Sequence, residues 1–219
     1  MAALRLNFRR RHVRVLAATL IAASVLTACA TGQRPSFDAD QPRLAPTGDP
    51  GIDAVLDRLD AVGLEKFTAG YTILTRLGGL ESAATVVQAD NSRRSVTLND
   101  VRYLDGTGNA ATCNLTTDEC EAAINDARTS DIQVTHDFYG SSIARRLRVD
   151  AGRRLDNARA YESTIAGQTA TCADVPVSGG TKIYCALDSG VLARYDGADL
   201  AIELVTVSDV PDESLFATN

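Results

Sequence analysis

Short segments of strand character, set roughly ten residues apart, run through most of this chain and limit what it can fold into. "AGYTILTRL" (69–77) sets Tyr71, Ile73, Thr75 and Leu77 on one face. "SAATVVQA", "RRSVTL", "VRYL" and "AATCNL" follow, with turn candidates at Gly78-Gly79, Asn99-Asp100 and Asp105-Gly106. After a break the pattern resumes with "AYESTIAGQTATCADV", "TKIYCAL", "VLARYD" and "LAIELVTV". In the last of these Leu200, Ile202 and Leu204 share a face. Spacing of this kind predicts antiparallel hairpins in a meander.

Two helices accompany the strands. Asp49 is a capping residue and Pro50 suits the first helical position. Behind them Ile52, Val55, Leu56 and Leu59 fall at i, i+3, i+4 and i+7, one apolar helix face. In the break between the strand series, "SSIARRLRVDAGRRLDNARA" spaces Ile143, Leu147, Ala151 and Leu155 four apart, a narrow stripe on a second helix. Arg145, Arg146, Arg148, Arg153, Arg154 and Arg159 flank that stripe. They read either as grips for lipid phosphates or as a solvated face that offsets nearby acids. Thr116-x-x-Glu119 is a capping box and predicts a further short helix.

The N-terminus is of another kind. "RLNFRRRHVR" is basic, and the apolar stretch "VLAATLIAASVL" after it is too short for a comfortable membrane span. "LTAC" then ends at Cys29. The sequence resembles a bacterial lipoprotein signal with its lipobox. That resemblance implies removal of residues 1–28, a diacylglycerol thioether on Cys29, labelling by palmitate, and a protein held at the cell envelope facing outside the cytoplasm. An uncleaved anchor or an ordinary secretory peptide would leave Cys29 spare. Residues 29–48 hold Pro35, Pro42 and Pro46 and few large apolar groups. They read as a disordered tether reaching on the order of 25 Å, with one folded domain over 49–219.

Without its first 28 residues, which carry five of the 22 basic side chains, the chain has 17 bases against 28 acids, a net of −11. So acidic a domain has no electrostatic footprint for nucleic acid. It would be repelled by anionic lipid unless held there covalently.

Four cysteines remain. An even number in an exported chain predicts two disulfides, for which three connectivities exist. Local pairing is favoured. A turn centred on Ser178-Gly179 sets Cys172 opposite Cys185, near disulfide distance, and Cys113 and Cys120 enclose only six residues. Neither spacing suits a metal site, and His136 is the sole histidine beyond the signal segment. No cofactor is expected.

The C-terminal third, "IAGQTATCADVP…TKIYCALDSGVLARYDGADLAIELVTVSDVPDESLF", resembles the LolA-like superfamily, which includes lipoprotein carriers and envelope lipoproteins of the LprG and LppX kind. The resemblance implies an α+β fold: a strongly curved antiparallel β-sheet, a half or unclosed barrel, covered by helices. It also implies a space between sheet and helices that takes a lipid or glycolipid in some members. Candidate ligand-contact residues on the sheet's inner face are Ile73, Val86, Ile183, Leu192, Leu200, Ile202 and Leu204. Each reads equally as ordinary core. Phe216, in the closing "SLF", is expected to act as an apolar plug.

Catalysis is not expected. His136-Asp137 lies near Ser141 and Ser142, but no nucleophile elbow frames either serine, and the many carboxylates fall in turns and on an acidic surface. The sequence therefore points to a non-catalytic binding module of the envelope, or to an interaction or sensor lipoprotein with a filled core and a protein partner.

Overall fold

The computed structural model describes residues 46–62, 65–90, 93–106 and 110–217. The signal segment, Cys29 and nearly all of the expected tether lie outside the described residues.

Helix α1 (Pro50–Ala61) begins where the capping pattern places it. The Asp49 carboxylate accepts from Gly51 N at 3.0 Å and Ile52 N at 3.3 Å. Ile52, Val55, Leu56 and Leu59 are all buried. Six strands follow as successive hairpins: β1 (Phe67–Thr75), β2 (Leu80–Asp90), β3 (Arg93–Leu98), β4 (Val101–Asp105), β5 (Ala111–Asn114) and β6 (Glu119–Glu121). A 3₁₀ segment (Asp126–Ile132) and helix α2 (Ser141–Ala151) form an insert. Five strands complete the sheet: β7 (Arg159–Ile165), β8 (Gln168–Val177), β9 (Gly180–Leu187), β10 (Leu192–Asp196) and β11 (Leu200–Ser208).

All eleven strands join one antiparallel sheet in the order β6-β5-β4-β3-β2-β1-β11-β10-β9-β8-β7. Each meander runs outward to its own edge, and the two meet where β1 pairs with β11. The sheet stays open, with β6 and β7 as its edges, and register shifts between β1 and β11, β2 and β3, and β9 and β10 bend it. This is the curved, unclosed sheet with helices that was expected. Both helices and the insert cover one face. Across that inner face Ala160, Ala173, Tyr184, Tyr195, Ile202 and Ile73 sit opposite one another in a row from β7 to β1.

The turn at Ser178-Gly179 has the predicted register, with Val177 opposite Gly180 and Cys172 opposite Cys185. Both local disulfides are formed, Cys113–Cys120 and Cys172–Cys185, and each joins directly paired strand residues.

Four local expectations are corrected. The Thr116-x-x-Glu119 pattern makes a hairpin turn, not a helix. Asn114 accepts from Thr116 N and Thr117 N, Asp118 adopts φ 56°, and the Cys113–Cys120 pair locks β5 to β6. An Asx turn inside a closed loop this short leaves no room to nucleate a helix. Leu77 lies in the β1–β2 turn and is 81% exposed. Helix α2 ends at Ala151, so Leu155, 72% exposed, falls outside the stripe. Phe216 does not enter the interior. The tail after β11 crosses the opposite face, where Thr68 donates to Val210 O and Ser95 to Leu215 O, and Phe216 lies half-buried beneath the Arg93 guanidinium.

Asp49 ties α1 to the start of β7. Its second carboxylate oxygen accepts from Ala158 N at 2.8 Å, and Arg154 lies 3.7 Å away. Burial alone would raise the carboxyl pKa, but the backbone donors and Arg154 outweigh it and hold the carboxyl below its ordinary value. A depressed folded-state pKa gives stability that is present above the unfolded value of about 3.9 and is lost as pH falls through the folded one. Asp49→Ala therefore lowers unfolding free energy by about 1–2 kcal/mol at neutral pH. In urea titrations followed by circular dichroism this deficit shrinks below about pH 4. A deficit constant down to pH 2 contradicts the assignment.

Candidate functional site

The inner face and its cover make the first candidate site. The cover consists of α1, α2 and the segment 132–139. Ile132, Val134, Phe138 and Tyr139 of that segment are buried with the sheet in one apolar cluster. Phe67, Tyr71, Phe138 and Tyr139 form an aromatic group with edge-on contacts, Tyr71 to Phe138 at 5.2 Å and Phe67 to Tyr139 at 6.0 Å. Thr75 donates to Ile132 O at 2.8 Å and so fastens the insert to β1. The Tyr71 hydroxyl lies within this group without a hydrogen-bond partner among the described residues. Burial, reinforced by Tyr139, pushes its pKa well above the ordinary value.

Six of the seven candidate ligand-contact residues lie on this face. Ile73, Val86 and Leu192 have no accessible surface, and Leu200, Ile202 and Leu204 are at most 3% exposed. A side chain with no accessible area borders no space that a water molecule could enter, so along these residues the interior is filled. Ile183 is the exception. Lys182 and Tyr184 both reach Asp150 on α2, and strand alternation therefore turns Ile183 to the outer face, between Asp174 and Asp196 in the ladder.

A polar seam fixes α2 to the late strands. Lys182 Nζ donates to both Asp150 oxygens at 2.8 Å, and the Tyr184 hydroxyl donates to the same carboxylate. Arg146 Nη1 donates to Tyr195 Oη at 2.7 Å and to Asp199 at 2.9 Å, with its guanidinium 5.0 Å above the Tyr195 ring. Burial and the Asp150 carboxylate push the Tyr184 pKa far up. Arg146 draws the Asp199 carboxyl below its ordinary value against the opposing effect of burial. Neither pin was recognised in the sequence. The signal was there, since Asp150 interrupts the apolar stripe between Leu147 and Ala151, and a carboxylate on that face needs a buried cation.

The arginines of the insert are mostly paired. Arg145 faces Asp137 at 3.5 Å, Arg146 binds Asp199, Arg148 binds Asp60, Arg154 lies near Asp49, and Arg159 binds Asp174 at 2.6 Å. The reading in which they offset nearby acids thus accounts for five of the six. A cleft of about 420 Å³ nevertheless opens along α2 beside Arg145, Arg146, Arg153 and Lys182.

The histidine and serine that the sequence sets near one another are engaged separately. His136 Nδ1 lies 3.1 Å from both Asp126 oxygens, whereas the Ser141 hydroxyl donates to Asp137, so histidine and serine do not pair as base and nucleophile. Among the described residues no cluster of three or more His, Cys, Asp or Glu could hold a metal ion, and no helix is long and apolar enough to cross a membrane.

No family model matches the sequence, and no curated protein does. Among solved structures, the Pseudomonas aeruginosa MucA/MucB complex aligns with a TM-score of 0.47 at 13% identity, over 76% of this chain and 60% of that chain. This chain thus spans about three fifths of the matched length there. LprF from Mycobacterium bovis gives 0.34 at 13% identity over 73% of this chain and 92% of that one. A LolA superfamily protein from Nitrosomonas europaea gives 0.36 at 9% identity, over 76% and 97%. Likenesses this distant carry no weight for function, and the fold class rests on the strand order and register themselves.

Asp150→Ala strands the Lys182 ammonium and the buried Tyr184 hydroxyl, and it lowers unfolding free energy by about 3 kcal/mol. Adding Lys182→Met to Asp150→Ala recovers part of the loss. A double-mutant cycle by urea unfolding reads both effects. Additive losses from the two substitutions argue against the pin.

Proposed function

We propose that this chain is a non-catalytic binding protein of the cell envelope, held at a membrane through a lipidated Cys29, that takes the apolar part of a lipid or glycolipid between sheet and cover. The observation that supports this most is the kind of cover the inner face has. Between β6 and β7 the sheet is roofed by short helical pieces and an irregular aromatic segment, joined to it by a few polar pins. The unpartnered Tyr71 hydroxyl sits under that segment. A roof in pieces can part from the sheet without unfolding the strands, at the cost of re-exposing the apolar side chains of residues 132–139. The loaded state then places an acyl chain along the inner face that Ile73, Val86, Leu192, Leu200, Ile202 and Leu204 share, beginning on β1, where residues 132–139 now contact Phe67, Tyr71 and Thr75. Each buried methylene contributes about 0.8 kcal/mol to that exchange.

A second reading has its own support. The complete burial of Ile73, Val86 and Leu192 favours an interaction or sensor lipoprotein that uses the same frame with a permanently filled core.

Two measurements test the proposal. Lipid extraction and mass spectrometry of the purified full chain, with uptake of a fluorescent acyl probe, should detect bound lipid at near one equivalent. Absence of both, with capture of a stoichiometric protein partner, decides for the filled-core reading. Radiolabelled palmitate should be incorporated by the wild type and not by Cys29→Ser, and equal labelling of the two removes the anchor.

A further inference from the structure

We propose that the open cleft along α2 is a binding site for a phosphate group. Its supports are local charge, unused donors and shape.

Charge comes first. Arg145, Arg146, Arg153 and Lys182 line the cleft against only two acids, Asp150 and Asp199. This local excess of two positive charges stands on a chain whose formal net charge is −6. Both acids are already committed, Asp150 to Lys182 and Tyr184, and Asp199 to Arg146. They hold two of the cations in place, which leaves Arg153, and Arg145 with its long, weak contact to Asp137, to a ligand.

The unused donors are specific. The Arg153 guanidinium is exposed and has no ion partner among the described residues. The Arg145 side chain is 70% exposed, and its one acid contact, with Asp137, is 3.5 Å long. Arg146 makes its bonds to Tyr195 and Asp199 through Nη1 alone, which leaves Nε and Nη2. A guanidinium has five N–H donors in a planar fork that matches phosphate oxygens two at a time. Arg146 is therefore a fixed fork with donors to spare, flanked by two exposed ones. The Ser142 hydroxyl adds a neutral donor at the same cleft.

Shape completes the case. The site is a shallow, open depression with room for more than one phosphate, and Val149, 45% exposed, supplies an apolar surface between Arg145 and Arg153 in sequence. A phosphate monoester or diester on an apolar stem satisfies both parts, and inorganic phosphate satisfies the first alone. The site does not rest on the acyl-chain reading, because inorganic phosphate has no chain to bury.

The test is a titration of the full chain, followed by amide chemical shifts, with inorganic phosphate, dihexanoylphosphatidic acid and neutral dihexanoylglycerol. Both phosphate compounds should shift Ser142, Val149 and Lys182, and added salt should weaken the binding. Arg145→Gln/Arg153→Gln should weaken it about tenfold or more; both side chains are exposed, and unchanged thermal unfolding of the variant verifies its fold. Phosphatidic acid binding well above inorganic phosphate identifies an amphiphile headgroup as the source, and equal affinities identify free phosphate. Shifts that map elsewhere, no response to either phosphate compound, or the same response to the neutral diacylglycerol overturn the proposal. So does an unaltered affinity in the double variant. Acyl-probe uptake measured on that variant keeps failure here distinct from failure of the acyl-chain reading.

Discussion

The pairing of β1 with β11 is the contact on which the rest of the structure depends. Every other strand pair joins neighbours in sequence through a short turn. This one joins residues more than a hundred positions apart, Thr75 with Leu200 and Ile73 with Ile202. Closing so long a loop costs entropy that no local hairpin must overcome. Until it closes there are two separate meanders, each with one face exposed. Once it closes, the inner faces become continuous and the insert between β6 and β7 has a floor on which to lie. The junction is also where the sheet bends. Gly70 pairs with Thr206 and Tyr71 with Leu204, so Val205 is passed over as a bulge. A side chain at position 70 would bring its Cβ within 2.7 Å of the Thr206 hydroxyl, so anything larger than glycine here requires that exposed side chain to turn away.

The helices are held by a division of labour. Helix α1 contributes a continuous apolar face, and its N-terminal cap doubles as a tie to β7 through Asp49. Its C-terminal end receives the β9–β10 turn. Gly190, at φ 84°, comes so near that a Cβ there would lie 2.6 Å from Arg58 O. Helix α2 is attached differently. Its apolar stripe is narrow, Ile143, Ala144, Leu147 and Ala151, and Asp150 and Arg146 add directional bonds to Tyr184, Lys182, Tyr195 and Asp199. The Lys182–Asp150 pair, whose carboxylate is buried, contributes little net stability when intact yet is costly to break one partner at a time, whereas the more exposed Arg146–Asp199 pair is worth less. They fix where α2 sits more than how firmly.

Much of the frame was legible because it is local. The strands follow period-two alternation, the α1 face follows the i, i+3, i+4 rule, and the register of the Ser178-Gly179 turn places Cys172 against Cys185. The misreadings share one cause. Thr116-x-x-Glu119 satisfies a local rule, but a disulfide and an Asx turn claim the same residues. Leu155 continues the α2 spacing past Gly152, where residues 153–158 instead run to the edge of the sheet. Ile183 is as apolar as the other six candidates, and its face is set by where Lys182 and Tyr184 find Asp150, a contact about thirty residues away. The aromatic group of the insert escaped notice for a related reason. Phe138 and Tyr139 have no periodic context, and it is β1 that brings Phe67 and Tyr71 to them.

The filled interior and the acyl-chain reading are compatible on energetic grounds. Opening the site exchanges one apolar layer for another. Moving Ile132, Val134, Phe138 and Tyr139 off the sheet re-exposes four large side chains at about 1.5–3 kcal/mol each, roughly 6–12 kcal/mol in all. A chain of ten to fifteen methylenes laid in the same place returns roughly 8–12 kcal/mol. These are similar sums, so on this reading the closed and loaded forms differ by far less than either differs from the unfolded chain. The frame beneath does not have to change, because its strand ladders and both disulfides lie in the sheet and not in the cover. On the acyl-chain reading, a filled core with an irregular roof is what the unloaded protein would look like, the roof keeping the apolar face from water in the absence of a ligand.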